Sequence, residues 1–215
     1  RVLNITLTSR GDGVPLAGVP VKAAADYPRK LVAHGHRVAI CEQVEDPKKA
    51  KGLVRREVVE TVTPGALLEE GWIAGGRNNW IVAVSCAPPS SASPTHRLPV
   101  GIAAIDLTTG EFLLESTAAS ALEEALGRLR PSELVVPSDA EVPSEPELMR
   151  TTRERWEFDP ELAKEELARR FALASLDGLG LGDADAPAIG AAGALLRYLA
   201  DLQPGGLPHL GRPTI

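Results

Sequence analysis

Two apolar stretches, Asn79-Trp-Ile-Val-Ala-Val-Ser-Cys86 and Val100-Gly-Ile-Ala-Ala-Ile-Asp106, lie close together in the chain. Both are short and rich in β-branched residues, which predicts a pair of buried strands. The segment 87–99 between them is rich in Pro and Ser and predicts a solvated loop. Thr108-Thr-Gly110, followed by alternating residues at 111–115, predicts a hairpin after the second strand.

Helical and strand patterns alternate on the C-terminal side of this pair. Residues 118–129 and 160–172 have the spacing of amphipathic helices, and 131–137 predicts a short strand. Residues 189–202 predict a small-residue helix, whose packing partners we expect beyond Ile215. The alternation predicts an α/β layer domain.

The N-terminal third has its own pattern. Residues 2–9, 38–41 and 54–63 predict strands, of which 38–41 is a continuous apolar run typical of a buried strand. A helix is predicted over about 21–34, beginning or kinking at Pro28. Glycines at 71, 75 and 76 indicate a boundary. We therefore predict the α/β class, with a small mixed-sheet unit before the larger domain.

Composition and charge narrow the classes of partner. The 215 residues are 44% hydrophobic and 24% charged, ordinary for a soluble globular protein, and no run of 18 apolar residues predicts a membrane span. The net charge of −6 argues against nucleic acid. Residues 1–70, however, carry 11 Lys and Arg against 9 Asp and Glu, whereas residues 71–215 carry 12 against 20. A phosphate backbone would therefore meet the first unit, unless its charge is an ordinary solvated surface.

The start of the chain and its two cysteines suggest a piece of a longer protein from a reducing compartment. The chain starts at Arg1 and its single methionine is Met149, which suggests a piece of a longer protein, and no secretory leader precedes Val2. Cys41 and Cys86 lie in strand-like runs. We expect two buried thiols in a reducing cytoplasm, with one disulfide as the alternative.

Carboxylates at the predicted hairpin offer one catalytic hypothesis. Asp106, Glu111 and Glu115 could hold Mg²⁺ for phosphodiester cleavage. Against this, Asp is common at hairpin corners for reasons of turn geometry. No residue near them is placed for proton transfer, so a metal-dependent nuclease is the alternative and not the leading interpretation.

Other chemistry-bearing residues have simpler interpretations. His34 and His36, with Cys41, do not match zinc-ligand spacing, and we interpret the histidines as polar groups at a helix end. The three tryptophans are interpreted as core or interface packing: Trp72, Trp80 and Trp156. The sequence contains no phosphate-binding Gly-x-x-x-x-Gly-Lys-Ser/Thr motif and no serine nucleophile elbow. We therefore expect no catalytic, cofactor or metal site in this chain.

Two short motifs in the N-terminal third are the most specific in the chain. They are Ala39-Ile-Cys-Glu-Gln43 and, after it, Val62-Thr-Pro-Gly65. Further motifs follow one another along nearly the whole chain: Leu16-Ala-Gly-Val-Pro20, Val54-Arg-Arg-Glu-Val-Val59, Ile105-Asp-Leu-Thr-Thr-Gly-Glu-Phe112, Leu129-Arg-Pro-Ser-Glu-Leu134 and Ala191-Ala-Gly-Ala-Leu-Leu-Arg-Tyr198. In content and in order, this set resembles the MutS family of bacterial DNA mismatch-recognition proteins.

The resemblance implies a domain organisation. Residues 1–68 would be an N-terminally truncated mismatch-recognition domain, 69–77 a linker, 78–182 a connector domain with an RNase H-like fold, and 183–215 the start of a helical core. It also implies a function for the full-length protein. That function is binding of double-stranded DNA containing mismatches, as a cytoplasmic, ATP-driven, homodimeric sliding clamp that uses ATP or ADP with Mg²⁺ and recruits MutL.

The resemblance also suggests which residues contact DNA. The family's Phe-x-Glu wedge motif would precede the strand at 2–9, and no Phe-x-Glu occurs in the chain. Lys22 follows the Leu-Ala-Gly-Val-Pro loop, where relatives carry Tyr-His at positions 21 and 22. Together with Lys22, we expect Arg10, Lys51 and Arg55 to contact the DNA backbone, which positions a protein without reading sequence.

Overall fold

Strands β1–β9 and helices α1–α4 form the regular structure of the described part of the chain. The structure is a computed structural model and describes residues 2–11, 13–67, 78–86, 99–143, 145–207 and 210–215. The strands are β1 Leu7–Arg10, β2 Val14–Ala17, β3 Val38–Gln43, β4 Arg56–Val62, β5 Trp80–Cys86, β6 Pro99–Asp106, β7 Glu111–Ala118, β8 Glu133–Pro137 and β9 Met149–Arg153. The α-helices are α1 Asp26–Ala33, α2 Leu122–Leu129, α3 Pro160–Phe171 and α4 Ala186–Leu202.

The chain divides into two compact units, unit 1 (Arg1–Pro64) and unit 2 (Gly65–Ile215). The predicted linker 69–77, which includes the boundary glycines and Trp72, lies outside the described residues, and so does the Pro/Ser-rich segment 87–98.

Unit 1 contains two antiparallel two-stranded sheets. β1 pairs with β2, and β3 pairs with β4 with a register shift between Ile40 and Cys41. A 3₁₀ turn at Val21–Ala23 precedes α1, which begins at Asp26, so that Pro28 lies in the first turn. A proline is tolerated there because the first-turn N–H groups have no intrahelical partner.

Three expectations for unit 1 are corrected by the structure. The strand predicted at 2–9 begins only at Leu7, and β2 was missed because Pro15 masks its pattern. The run at 38–41 does form β3, but the strand is mostly exposed, and Cys41 is an exposed free thiol. The run appeared buried because apolar composition alone does not show whether a second layer covers the sheet.

Unit 2 is built on a five-stranded mixed sheet in the order β7-β6-β5-β8-β9. β5, β6 and β7 form an antiparallel meander, whereas β8 and β9 run parallel to β5. The predicted strands and hairpin are confirmed in this sheet, and Gly110 completes the turn with φ 77°. Helices cover both faces, so the predicted α/β class is confirmed.

Alternate residues of β5 face two different apolar layers. Ile81 and Ala83 lie in the layer formed with α3 and α4, whereas Val82 and Val84 lie in the layer formed with α2. Both faces of this central strand are therefore buried, which explains why its sequence is continuously apolar instead of alternating.

Helix α4 belongs to the core of unit 2. The sequence predicts that residues 183–215 begin a separate helical core, with packing partners beyond Ile215. Instead, α4 packs on β5, β6 and α3, and residues such as Ile189, Leu195 and Leu199 are fully buried. Small residues permit this close approach, since a Cβ added at Gly101 of β6 would meet the backbone of Pro187 and Ala188.

The start of α3 and a buried carboxylate complete the packing. The Asp159 side chain accepts hydrogen bonds from the N–H groups of Glu161 (2.8 Å) and Leu162 (3.2 Å), with Pro160 first in the helix as predicted. The buried Glu133 of β8 accepts hydrogen bonds from Thr151 of β9 and Tyr198 of α4.

No helix among the described residues is long and apolar enough to cross a membrane.

Gly101→Ala tests how closely α4 lies on the sheet. The new methyl group would overlap the α4 backbone, and we expect a loss of about 1–3 kcal/mol in the free energy of unfolding, the usual cost of overpacking. The measurement is urea unfolding followed by far-UV circular dichroism. Gly127→Ala in α2 is the control, because nothing lies within 4 Å of its added Cβ. It should stabilise by about 0.5–1 kcal/mol, and equal losses in both variants would contradict the packing described.

Candidate nucleic-acid interface

The connection between β3 and β4, residues 44–55, is a hydrogen-bonded loop that we call the basic loop. At its base the Val44 N–H donates to the Arg55 carbonyl (3.1 Å), and the Arg55 N–H donates to Glu45 Oε2 (3.1 Å). Inside it, the Lys48 N–H donates to Asp46 Oδ1 at 2.9 Å. Side-chain oxygens that bind nearby backbone N–H groups define such turns, so the loop has a fixed start and a fixed end.

The basic loop carries four basic side chains against two carboxylates. Lys48, Lys49 and Lys51 are exposed, and none of them has an ion-pair partner within the described ranges. Arg55 lies 3.4 Å from Glu57, but the two side chains are 69% and 56% exposed. A pair this exposed contributes little and is screened by salt. The four cations are therefore accessible to an anionic partner.

The other two predicted residues lie on separate elements of unit 1. Arg10 ends β1 opposite Val14, next to a turn in which Gly11 and Gly13 adopt positive φ. The structure does not describe the Arg10 side chain. Lys22 lies in the exposed 3₁₀ turn at Val21–Ala23. The structure thus brings Lys51 and Arg55 into one loop, and it places Arg10 at the end of β1 and Lys22 in the 3₁₀ turn.

Two basic residues were not selected from the sequence, although they share the loop. They are Lys48 and Lys49, and the signal that could have selected them is the local density of lysine between two paired strands. Unit 1 as bounded by the structure holds 11 Lys and Arg against 7 Asp and Glu. This net charge of +4 exceeds the +2 obtained with a boundary at residue 70.

The carboxylates of the nuclease alternative all have protein partners. Asp106 is fully buried; its Oδ2 accepts from the Asn79 N–H (2.8 Å), and its Oδ1 accepts from the Thr108 N–H (2.8 Å) and hydroxyl (2.6 Å). Glu111 accepts from the Asn78 amide, and Glu115 pairs with Arg128. The described residues contain no group of three or more His, Cys, Asp or Glu able to hold a metal ion. Asp106 therefore serves turn geometry, and no observation favours the nuclease.

The histidine and tryptophan side chains considered in the sequence analysis lie at a helix end, in the core or at the surface. His34 Nδ1 donates to the Lys30 carbonyl (2.7 Å) at the end of α1, as a polar group at a helix end does. Trp80 is buried in the layer that includes α2, in agreement with core packing. Trp156 differs, since it is 59% exposed and lies under the Arg197 guanidinium at 5.8 Å.

Two models of known protein families match the chain. The family model for MutS domain I matches residues 1–71, and that for MutS domain II matches residues 79–211. The chain belongs to the MutS family. Three similar relatives are each named DNA mismatch repair protein MutS. The protein from Solibacter usitatus is 41% identical and that from Rhodopseudomonas palustris is 41% identical, and each match covers 100% of this chain. The protein from Desulfosudis oleivorans is 40% identical over 97% of this chain.

The chain spans about a quarter of these relatives, 24% of the length of each. The domain II match includes α4, which packs in the core of unit 2. Among solved structures, T. thermophilus RuvC in complex with Holliday junction substrate covers 56% of this chain and 96% of its own at 12% identity, with a TM-score of 0.32. A likeness this low carries no conclusion about fold or function.

Asp106→Asn separates the turn role from the catalytic one. An amide keeps one acceptor, so either the Asn79 N–H or the Thr108 donors would face an NH₂ group in a buried site. We expect the free energy of unfolding to fall by about 1–3 kcal/mol, measured by urea denaturation. Glu111→Gln, the same change at an exposed position of the hairpin, should cost less than about 0.5 kcal/mol. Mg²⁺-dependent DNA cleavage that disappears with Asp106→Asn would overturn this role.

Proposed function

We propose that this chain is the DNA-contacting part of a mismatch repair protein, and that unit 1 binds double-stranded DNA containing mismatches. The observation that carries the proposal is the match along the whole chain to proteins named DNA mismatch repair protein MutS, at about 40% identity. The charge distribution supports it, because unit 1 is net positive and its basic loop leaves three lysines without ion-pair partners among the described residues.

The mechanism proposed for unit 1 is backbone binding. Arg10, Lys22, Lys51 and Arg55 contact phosphates, which sets the register of the protein on the duplex without reading base sequence. A mispaired step is more easily kinked than a paired one, so discrimination comes from DNA deformability. Because the chain contains no Phe-x-Glu motif, these residues alone should bind DNA with little preference for mispairs.

The remaining expectations concern the full-length protein. We propose that it works in the cytoplasm as a homodimeric, ATP-driven sliding clamp that recruits MutL. The sequence contains no Gly-x-x-x-x-Gly-Lys-Ser/Thr motif, the signature of a phosphate-binding loop. We therefore assign no residue of this chain to ATP, ADP or Mg²⁺, and we propose no catalytic role for the chain itself.

The salt dependence of DNA binding tests the phosphate contacts. Each phosphate contact with a duplex contributes about 0.9 to the slope of log K against log salt. We expect Arg10→Gln with Lys22→Gln to lower the slope by about 2, and Lys51→Gln with Arg55→Gln to lower it by a similar amount. The measurement is fluorescence anisotropy with one labelled duplex over a series of salt concentrations.

A matched pair of changes in unit 2 is the control. Lys164→Gln with Arg128→Gln removes the same two charges from side chains that pair with Glu161 and Glu115. This variant should leave the slope unchanged. Equal slopes in all three variants would reject the four residues as phosphate contacts. A tenfold preference for a G·T duplex over its matched control would contradict the proposed lack of mispair discrimination.

A further inference from the structure

A groove lies beside helix α2 on the surface of unit 2, and we call it the α2 groove. Its volume is about 590 Å³, a size typical of binding sites. Leu126 and Gly127 of α2 line one side, and Pro143 and Leu148, from the chain between β8 and β9, line the other. The two leucines are half-buried and also pack on the apolar layer that contains α2. The groove therefore has apolar walls that are accessible from outside.

Gly127 keeps the helix side of the groove open. It lies inside α2, it is exposed, and a Cβ added there would meet nothing within 4 Å. A glycine inside a helix is less favourable than an alanine, because it loses more conformational freedom on folding. Packing within unit 2 does not require this glycine. Its effect is on the groove, where the side chain of a partner can approach the α2 backbone.

Carboxylates stand on both sides of the α2 groove. Glu123 of α2 and Glu145 of the opposite side are exposed, and neither has an ion-pair partner among the described residues. Arg130, which ends α2 with φ 49°, adds one cation to the lining. The stretch 122–150 as a whole carries seven Asp and Glu against three Arg and no Lys. The surroundings of the groove therefore repel anions and attract cationic groups.

We propose that the α2 groove binds a segment of another protein in which an apolar side chain is flanked by Lys or Arg. The apolar side chain lies between Leu126 and Leu148 and over Gly127, which removes apolar surface from water. The flanking cations pair with Glu123 and Glu145, which excludes acidic segments. A small polycation has no side chain for the apolar walls, and nucleic acid has no positive charge for the carboxylates. The proposal concerns unit 2 alone and does not depend on DNA binding by unit 1.

Peptide selection on the full chain tests the chemistry of the partner. Phage that display random 12-residue peptides are first depleted of those that bind the Gly127→Gln variant, whose longer side chain fills the groove, and are then selected on the parent. We expect the enriched peptides to carry an apolar residue flanked by Lys or Arg. Enrichment of acidic peptides, or no enrichment after depletion, would overturn the proposal. The variant should keep the circular dichroism and at least the urea midpoint of the parent, because glutamine is a better helix former than glycine.

Charge variants give a second test that does not depend on Gly127→Gln. The affinity of the most enriched peptide, labelled with fluorescein, is measured by fluorescence anisotropy. Glu123→Gln and Glu145→Gln should each weaken binding about twofold to fivefold, as expected for loss of an exposed ion pair. Glu165→Gln is the matched control, because it removes the same charge from an exposed position of α3, on the other face of the sheet. Equal weakening in all three variants would show attraction to the net charge alone and would reject the groove as the site.

A second copy of the chain is the occupant that remains to be distinguished. The basic loop also presents an apolar side chain between basic ones, since Leu53 is 96% exposed and lies between Lys51 and Arg55. Sedimentation equilibrium gives the molar mass of the parent and of Gly127→Gln. The proposed partner is a different protein, so we expect equal masses. A dimer that is present in the parent and lost in the variant would assign the groove to a second copy and contradict the proposal.

Discussion

The Asp106 carboxylate, fully buried at the end of β6, accepts three hydrogen bonds that join two parts of unit 2. Its bonds to Thr108 shape the β6–β7 hairpin, and its bond to the Asn79 N–H fixes the first residue before β5. A buried charge is tolerated only when donors surround it. One carboxylate thus ties the β6–β7 hairpin to the start of β5, which explains how a residue that resembles a catalytic aspartate can be structural.

Close packing of α4 is the second constraint on unit 2. Glycine at 101 on the sheet side and at 190 and 193 on the helix side lets backbones approach where any Cβ would overlap a neighbour. The helix buries nearly all of its length against β5, β6 and α3. The sequence predicts a small-residue helix here, but the identity of its packing partner is a property of the tertiary structure. For that reason the helix was assigned to a different region.

The strength of the local pattern decided which elements the sequence could predict. The apolar runs of β5 and β6 and the capped start of α3 at Asp159-Pro160 carry strong signals, and the structure has them within one residue. β9, Met149–Arg153, has none, because its residues are mostly polar. It forms because β8 offers a parallel edge and because Thr151 donates to Glu133. Tertiary context of this kind overrides propensity.

The positive charge of the candidate interface could be predicted from the sequence, but the arrangement of its side chains on one surface could not. Sequence shows that lysines cluster between two strands, whereas their grouping in one loop depends on the pairing of Val44 with Arg55. Unit 2 carries 12 Lys and Arg against 22 Asp and Glu, a net charge of −10 that opposes approach to a polyanion. At physiological salt this repulsion is largely screened beyond a Debye length of about 8 Å. The attraction between a phosphate and a lysine in contact with it acts over a shorter distance and is screened much less. Binding through unit 1 is therefore compatible with a chain whose total charge is negative, because contact depends on the local charge and not on the sum.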